Sequence, residues 1–318
     1  MIALVADIGG TRIKLGLVRA GVVLTRRSEP AQAELSLERR LPALAHGWRE
    51  LAAAAGVALT DVDGVGVAFP SVVDSTRGRI LDEWGKFPGC TGFDFAAWAR
   101  REFKLPLALD NDARAALMGE WRLGAGRGSE NVVMLTLGTG LGVAVAMQGR
   151  MLRGAHGQAG TLGGHLTVRY GGRPCVCGNL GCAEVEASTA VLRELAAARP
   201  DFAGSALAGE GRIDYESVFR LAAGGDGCAQ SLREHSLAVW SATAVNLIHA
   251  YDPERLILGG GIMASAGAIL PAVRSYIGRH AHTAWGQVEI AAGQLGEDAA
   301  LLGCGWLLAE KLASSAAP

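Results

Sequence analysis

Two stretches of this chain share one design, and that repetition limits the possible folds more than any other feature. Leu4 to Val18 and Val133 to Val145 each read as an apolar strand, a glycine turn and a second strand. Lying about 130 residues apart, they point to two structurally similar halves facing each other, although identity between them is too thin to establish a duplication. A chain of 318 residues has room for two such domains, each with its own core.

The intervening pattern supports α/β layering. Leu37, Leu41, Leu44, Trp48, Leu51 and Ala55 recur at helical spacing, with Gly56 as a stop, while Val62 to Phe69 and Leu105 to Leu109 read as strands. Ala190 to Ala198, Asp214 to Ala223 and Cys228 to His249 read as helices, and Leu256 to Leu258 as a buried strand running into Gly259, Gly260 and Gly261. The expected division is an N-terminal α/β domain over 1–115 and a C-terminal α/β domain over 116–297. A closing helix over 298–318 is expected to pack back on the first domain.

Composition narrows the partners. Half of the residues are apolar and the formal net charge is -1, so neither a polybasic nucleic-acid surface nor an acidic tail is present, and no nucleic-acid partner is expected. The chain holds 45 glycines, about twice the usual share, without a collagen period, so most serve as turns. No apolar run approaches a membrane span, and Met1 to Ala6 runs into Asp7 without a signal-peptide pattern. A small-molecule substrate and a cytoplasmic location, with cysteines reduced unless they bind metal, are the expectation.

The leading catalytic candidate is Asp112. Asn111-Asp112 follows an apolar strand at the start of a helix, where the positive helix end keeps a carboxylate ionised and able to accept a proton. The same pair also reads simply as a helix cap. In the turn Asp7 to Lys14, Gly9 and Gly10 let backbone amides approach an anion, Thr11 offers a hydroxyl donor, and Asp7 is placed to orient hydrated magnesium. Gly138, Thr139 and Gly140 form a second such turn, and Gly259 to Gly261 leave flat space for a base or ribose. Any one of these also reads as an unliganded hairpin, but all three end apolar strands, where open α/β sheets gather ligands.

His165, Cys175, Cys177 and Cys182 make a complete tetrahedral zinc set, with glycines between them for the sharp turns. Four protein ligands leave the metal no open position, which implies a structural role. Cys90, Cys228 and Cys304 lie outside this set and read as buried apolar residues. Glu184, two residues past Cys182, is a carboxylate suited to a polyol, or else an exposed glutamate without a role.

Taken together, the Asp7 to Lys14 turn, Asn111-Asp112, the Leu137 to Gly142 turn and the Cys175 to Glu184 run resemble the ROK family (repressor, open reading frame, kinase) over nearly the whole chain. The resemblance implies an actin-like ATPase fold (ribonuclease H-like) with two similar domains around a cleft. It also implies an ATP-dependent, glucokinase-like hexose kinase with ATP, Mg2+ and structural Zn2+, assembled as a homodimer or homotetramer. Asp112 is then the catalytic base, Asn111 and Glu184 are sugar contacts, and His165 is both a zinc ligand and a neighbour of the sugar. Some family repressors carry a DNA-binding winged helix before the first turn, and none is expected here.

One departure concerns the sugar. Glucose-type relatives carry Glu in an Ala-Gly-Glu-x-Gly-His run, whereas this chain reads Ala159-Gly160-Thr161-Leu162-Gly163-Gly164-His165. Thr161 removes a charge-assisted hydrogen bond unless Gln158 or a water replaces it, and Ser71 stands where many relatives have Gly after Pro70. N-acetylmannosamine, N-acetylglucosamine, fructose, mannose and allose are alternative acceptors. A sugar-sensing protein without catalysis is the alternative of another class.

Overall fold

The computed structural model describes residues 1–316 and divides into two compact units. The first comprises residues 1–128, 151–159 and 294 onward, and the second residues 129–150 and 160–293.

In the first unit, β1 (Ile2–Ile8), β2 (Arg12–Arg19) and β3 (Val22–Pro30) form an antiparallel meander. Leu4 pairs with Leu17 and Ala6 with Leu15, and this register buries the apolar residues of both strands. Helix α1 (Leu37–Ala54) covers the sheet with its Leu41, Leu44 and Trp48 stripe, and Trp48 Nε1 donates to Val5 O at 2.9 Å. The crossover leads to β4 (Gly64–Phe69), which lies parallel to β1. A small hairpin, β5 (Val73–Asp74) with β6 (Arg79–Ile80), and α2 (Phe95–Phe103) precede β7 (Leu107–Asn111), parallel to β4. Helix α3 (Asp112–Leu123) starts directly from its end. The sheet order is β3-β2-β1-β4-β7.

The second unit repeats that plan. β8 (Val132–Leu137) and β9 (Leu141–Met147) are the antiparallel pair, followed by the short β10 (Arg150–Met151). Helices α4 (Ala183–Ala187), α5 (Leu192–Ala197), α6 (Tyr215–Ala223) and α7 (Gly227–Tyr251) come before β11 (Arg255–Gly259), which is parallel to β8. After α8 (Ala266–His280), β12 (Glu289–Ala292) completes the order β10-β9-β8-β11-β12. Each sheet therefore runs third, second, first, fourth, fifth, the topology of the actin-like ATPase fold.

Helix α9 (Ala299–Ala316) belongs to the first unit, packing on α3, β1 and β4. It approaches α3 so closely that a Cβ at Gly303 would stand 1.8 Å from Ala115 O, and one at Gly119 would stand 2.1 Å from Ala299 O. This contact moves the boundary. Position 115/116 was expected from the sequence, but α3 cannot leave the unit that holds α9, and the first long segment ends at 128. No helix among the described residues is long and apolar enough to cross a membrane.

Candidate active site

In the first unit, strand β7 delivers Asn111 and Asp112 to the junction with α3. Asn111, not Asp112, caps the helix: its Oδ1 accepts from Ala113 N at 3.0 Å and Arg114 N at 3.3 Å. Its amide nitrogen donates to Ser71 O at 3.2 Å and to Asp112 Oδ1 at 2.9 Å. Asp112 is thus relieved of capping and held by its neighbour, with Ala113 N also donating to Oδ1 at 2.8 Å. Burial pushes its carboxyl above the usual carboxylate range, while Lys86, the Ala113 N–H and Asn111 hold it down.

The turn between β1 and β2 lies in the same unit. Gly9 N donates to Arg12 O at 2.9 Å, and Thr11 O accepts from Ala31 N at 3.0 Å. Asp7 stands at the end of β1 with Lys14 Nζ 3.8 Å from Oδ2, and that ammonium also reaches Glu297 O at 3.4 Å. Burial raises Asp7 to about 6, opposed by Lys14 and reinforced by the negative charge of Asp112. Asp7 and Asp112 therefore sense one another.

Lys86 was not legible as a site residue. It comes from the loop after β6, and its Cε would lie 3.1 Å from a Cβ at Gly10, so the ammonium borders the glycine turn as well as acting on Asp112. A second group the sequence concealed lies beneath Asn111. Asp110 is fully buried and accepts from Arg153 Nη2 at 2.6 Å, Ser75 Oγ at 3.1 Å and Asn111 N at 2.9 Å. Arg114, 1 % exposed, lies 3.6 Å from Asp110 Oδ1 and donates to the carbonyls of Leu152, Gly157 and Ala159 at 3.1, 2.9 and 2.7 Å. That fork pins the segment carrying Gln158 to the helix that begins with Asp112. Ser71 donates its hydroxyl to Asp82 O.

In the second unit, the β8–β9 turn is fastened from behind. Gly138 N donates to Gly140 O at 3.0 Å, while Gly138 O and Thr139 O each accept at 3.1 Å, from Thr189 N and Ala190 N. Glu184 Oε2 accepts from Leu141 N at 2.9 Å and would stand 2.4 Å from a Cβ at Gly140. The glutamate expected beside a sugar thus also braces this turn. Gly260 has φ +88°, and a Cβ there would meet Leu137 O at 2.3 Å, so the Gly259 to Gly261 stretch closes on the end of β8.

His165, Cys175, Cys177 and Cys182 converge, with their ligand atoms all within 4.8 Å of one another. His165 Nδ1 lies 3.4 Å from Cys175 Sγ, and Cys177 Sγ lies 3.6 Å from Cys182 Sγ. Tetrahedral zinc with Zn–S of about 2.3 Å places its ligand atoms about 3.5 to 3.8 Å apart, close to these two separations, and three thiolates with one imidazole are a donor set suited to that ion. Cys90, Cys228 and Cys304 are buried apart from this cluster. Thr161 precedes the short helical turn that carries His165.

Two units of one topology, each with a glycine turn between its first two strands, and a restrained carboxylate at a strand-to-helix junction define the sugar-kinase class of the actin-like ATPase fold. The sequence profile described as "ROK family" matches residues 3–311. This chain belongs to the ROK family. It is 30% identical to the glucokinase of Halalkalibacterium halodurans over 96% of this chain and 94% of that protein. The glucokinase of Thermotoga maritima is also 30% identical, over 96% of each. Among solved structures, a ROK family glucokinase from Streptomyces griseus, in complex with glucose and AMPPNP, superposes with a TM-score of 0.81 at 28% identity, covering 98% of this chain and 100% of that one.

Proposed function

We propose that this chain is an ATP-dependent hexose kinase of the glucokinase type, with Asp112 as the general base. The observation that carries the reading is the state of Asp112: capping is delegated to Asn111, and burial raises its proton affinity toward the working range. Oδ1 takes the structural donors, leaving Oδ2 to accept the proton of the sugar hydroxyl. As that proton moves, the hydroxyl oxygen forms a bond to the γ-phosphorus, the bond to the bridging oxygen breaks, and ADP departs with the electron pair.

Gly9, Gly10, Thr11 and Lys14 from the first unit, and Gly138, Thr139 and Gly140 from the second, supply donors and charge to the phosphates. Gly259 to Gly261 receive the nucleoside end. Ser71, Asn111, Gln158, Thr161, His165 and Glu184 are the sugar-side residues of this reading. Asp7 would hold a hydrated magnesium ion, which would supply charge neutralisation at the phosphates. His165, Cys175, Cys177 and Cys182 would hold a structural zinc, which would stiffen the loop leading to Glu184. The location is cytoplasmic and the assembly a homodimer or homotetramer.

The test is ADP release measured over glucose, mannose, fructose, allose, N-acetylmannosamine and N-acetylglucosamine, with wild type and Asp112→Asn. Glucose is expected as the preferred acceptor, and the variant should lose about 10²- to 10⁴-fold in kcat while keeping sugar affinity. Activity in Asp112→Asn above about a tenth of wild type would remove the base assignment. The neutral Thr161 leaves N-acetylated sugars open as the second reading, and the same panel decides between them.

A further inference from the structure

A cavity of about 320 Å³ lies wholly within the second unit, and none of its lining residues belongs to the reaction proposed above. Its walls carry Arg169, Arg173, Arg199 and His235, with Glu186 and Leu232 among the remaining lining residues. Arg169 and Arg173 stand on the stretch between His165 and Cys175, Glu186 on α4, and His235 on α7. With Arg199 just past the end of α5, four separate segments converge on one positively charged hollow.

The charges in it are not mutually satisfied. Glu186 is 1 % exposed, and its Oε1 accepts from Arg173 N at 3.2 Å. Its Oε2 is buried without a hydrogen-bond partner, although Arg169 Nη1 lies 3.7 Å away and His235 Nε2 3.8 Å away. Those separations attract but do not bond. His235 Nε2 instead meets the Glu186 carbonyl at 2.9 Å, and Arg173 pairs with Glu194 at the rim. Arg199 has no ion-pair partner among the described residues. With Arg173 taken up by Glu194, the buried Glu186 carboxylate faces two guanidiniums, Arg169 and Arg199, that have donors to spare, and a buried carboxylate oxygen left unbonded calls for a reason.

We propose that this hollow is a binding site for a small phosphomonoester. Guanidinium forks match the oxygens of a phosphate bidentately, and a phosphate offers Arg169 and Arg199 the acceptor oxygens that Glu186 and Glu194 leave them without. Neutralising the mutual repulsion of Arg169, Arg173 and Arg199 lets Arg169 settle onto Glu186 Oε2, so the orphaned oxygen gains its donor when the site fills. The volume accommodates an organic body beside the phosphate. Glu186 follows Glu184 by two residues on α4, so occupancy is transmitted to the sugar side of the site. That regulatory half rests on the sugar-kinase reading, whereas the binding half does not.

Calorimetric titration of the full chain with glucose 6-phosphate, inorganic phosphate and uncharged glucose tests the site. Glucose 6-phosphate is expected to saturate with Kd below about 1 mM, to weaken at least about 10-fold in Arg199→Ala and in Arg169→Ala, and to weaken less in Arg199→Lys. Glucose binding is expected to be the same in these variants as in wild type. Unfolding temperature and circular dichroism confirm that each variant is folded. Equal affinity for the ester in wild type and both alanine variants, or no saturable binding, overturns the site. In kinetic runs the ester should shift the sugar KM in wild type and not in Arg199→Ala, and an unshifted wild-type KM overturns the coupling. Intact, arginine-dependent binding in a chain that phosphorylates no sugar would sustain the site and reject the kinase reading instead.

Discussion

Replacing Arg114 with Met tests whether the buried fork behind Asp112 organises the site. Arg114 donates to three carbonyls and faces Asp110, all within the first unit. Asp110 keeps Arg153 and Ser75 after the substitution, so it is not left alone. The loss therefore falls on the carbonyls of Leu152, Gly157 and Ala159, which are only partly buried and regain some water. A charged hydrogen bond contributes about 1.5 to 3 kcal/mol when its acceptor stays dry. Three partly rehydrated acceptors and one weakened pair place the total near 3 kcal/mol, at the low end of the cost of breaking a buried ion pair. At about 2 to 4 °C per kcal/mol for a unit of this size, the calorimetric transition of the first unit should fall by about 6 to 12 °C. Releasing the segment that carries Gln158 should raise the sugar KM more than it lowers kcat. Arg114→Lys should recover less than half of the loss, because one ammonium does not reproduce a three-way fork. A fall below about 2 °C with unchanged KM would refute the reasoning.

Three further outcomes follow from the electrostatics and the metal set. Asp7 is raised to about 6 in the folded chain, so the native state holds that proton more tightly than the unfolded state, and the penalty appears as pH rises through this value. Asp7→Asn should stabilise the magnesium-free protein by up to about 3 kcal/mol near pH 7.5 and by nothing near pH 3.5, and should lose activity when assayed with magnesium; equal effects on stability at both pH values would contradict this account. Lys86→Ala removes the foremost restraint on the raised Asp112 carboxyl, so the acid limb of kcat/KM should move to higher pH, and an unmoved or lowered limb counts against Lys86 acting on the base. Metal analysis should find about one zinc per chain, lost in Cys177→Ser, and a protein purified without zinc would end that assignment.

Much of the fold was legible because its signals are local. The two strand–turn–strand stretches and the long helices at Cys228 to His249 and Ala299 to Leu312 carry their pattern within a few turns of chain. Strand β3 was not read, since every one of its residues remains partly or fully exposed and Arg26, Arg27 and Glu29 break up any apolar face. Pro271 interrupts the pattern of α8, and β12 has only four residues. At the site, Asp112, the glycine turns and the metal set stood out because their residue types are adjacent in sequence. Asp110, Arg114 and Arg153 did not, because the network exists only once the 151–159 segment returns to the first unit. Lys86 comes from a loop with no periodicity, and its meaning depends on its approach to Gly10. The domain boundary moved for the same reason, through the pairing of α3 with α9, two helices far apart in sequence.

The mutual influence of Asp7 and Asp112 places a constraint on how this site works. Each is disfavoured as an anion by burial, and negative charge on Asp112 further raises Asp7. A polyphosphate brought to the neighbouring glycine turn adds negative charge to the same region and drives both carboxyls upward. Uncompensated, that added charge favours the protonated form of Asp112, the opposite of what its proposed role requires. Lys14 beside Asp7 and Lys86 beside Gly10 and Asp112 oppose that drift, and a divalent cation at Asp7 would complete the balance. On the proposed role of Asp112, its ionisation would be coupled to correct loading of the phosphates, and a nucleotide lacking its metal should bind yet favour the protonated carboxyl across a wider range of pH.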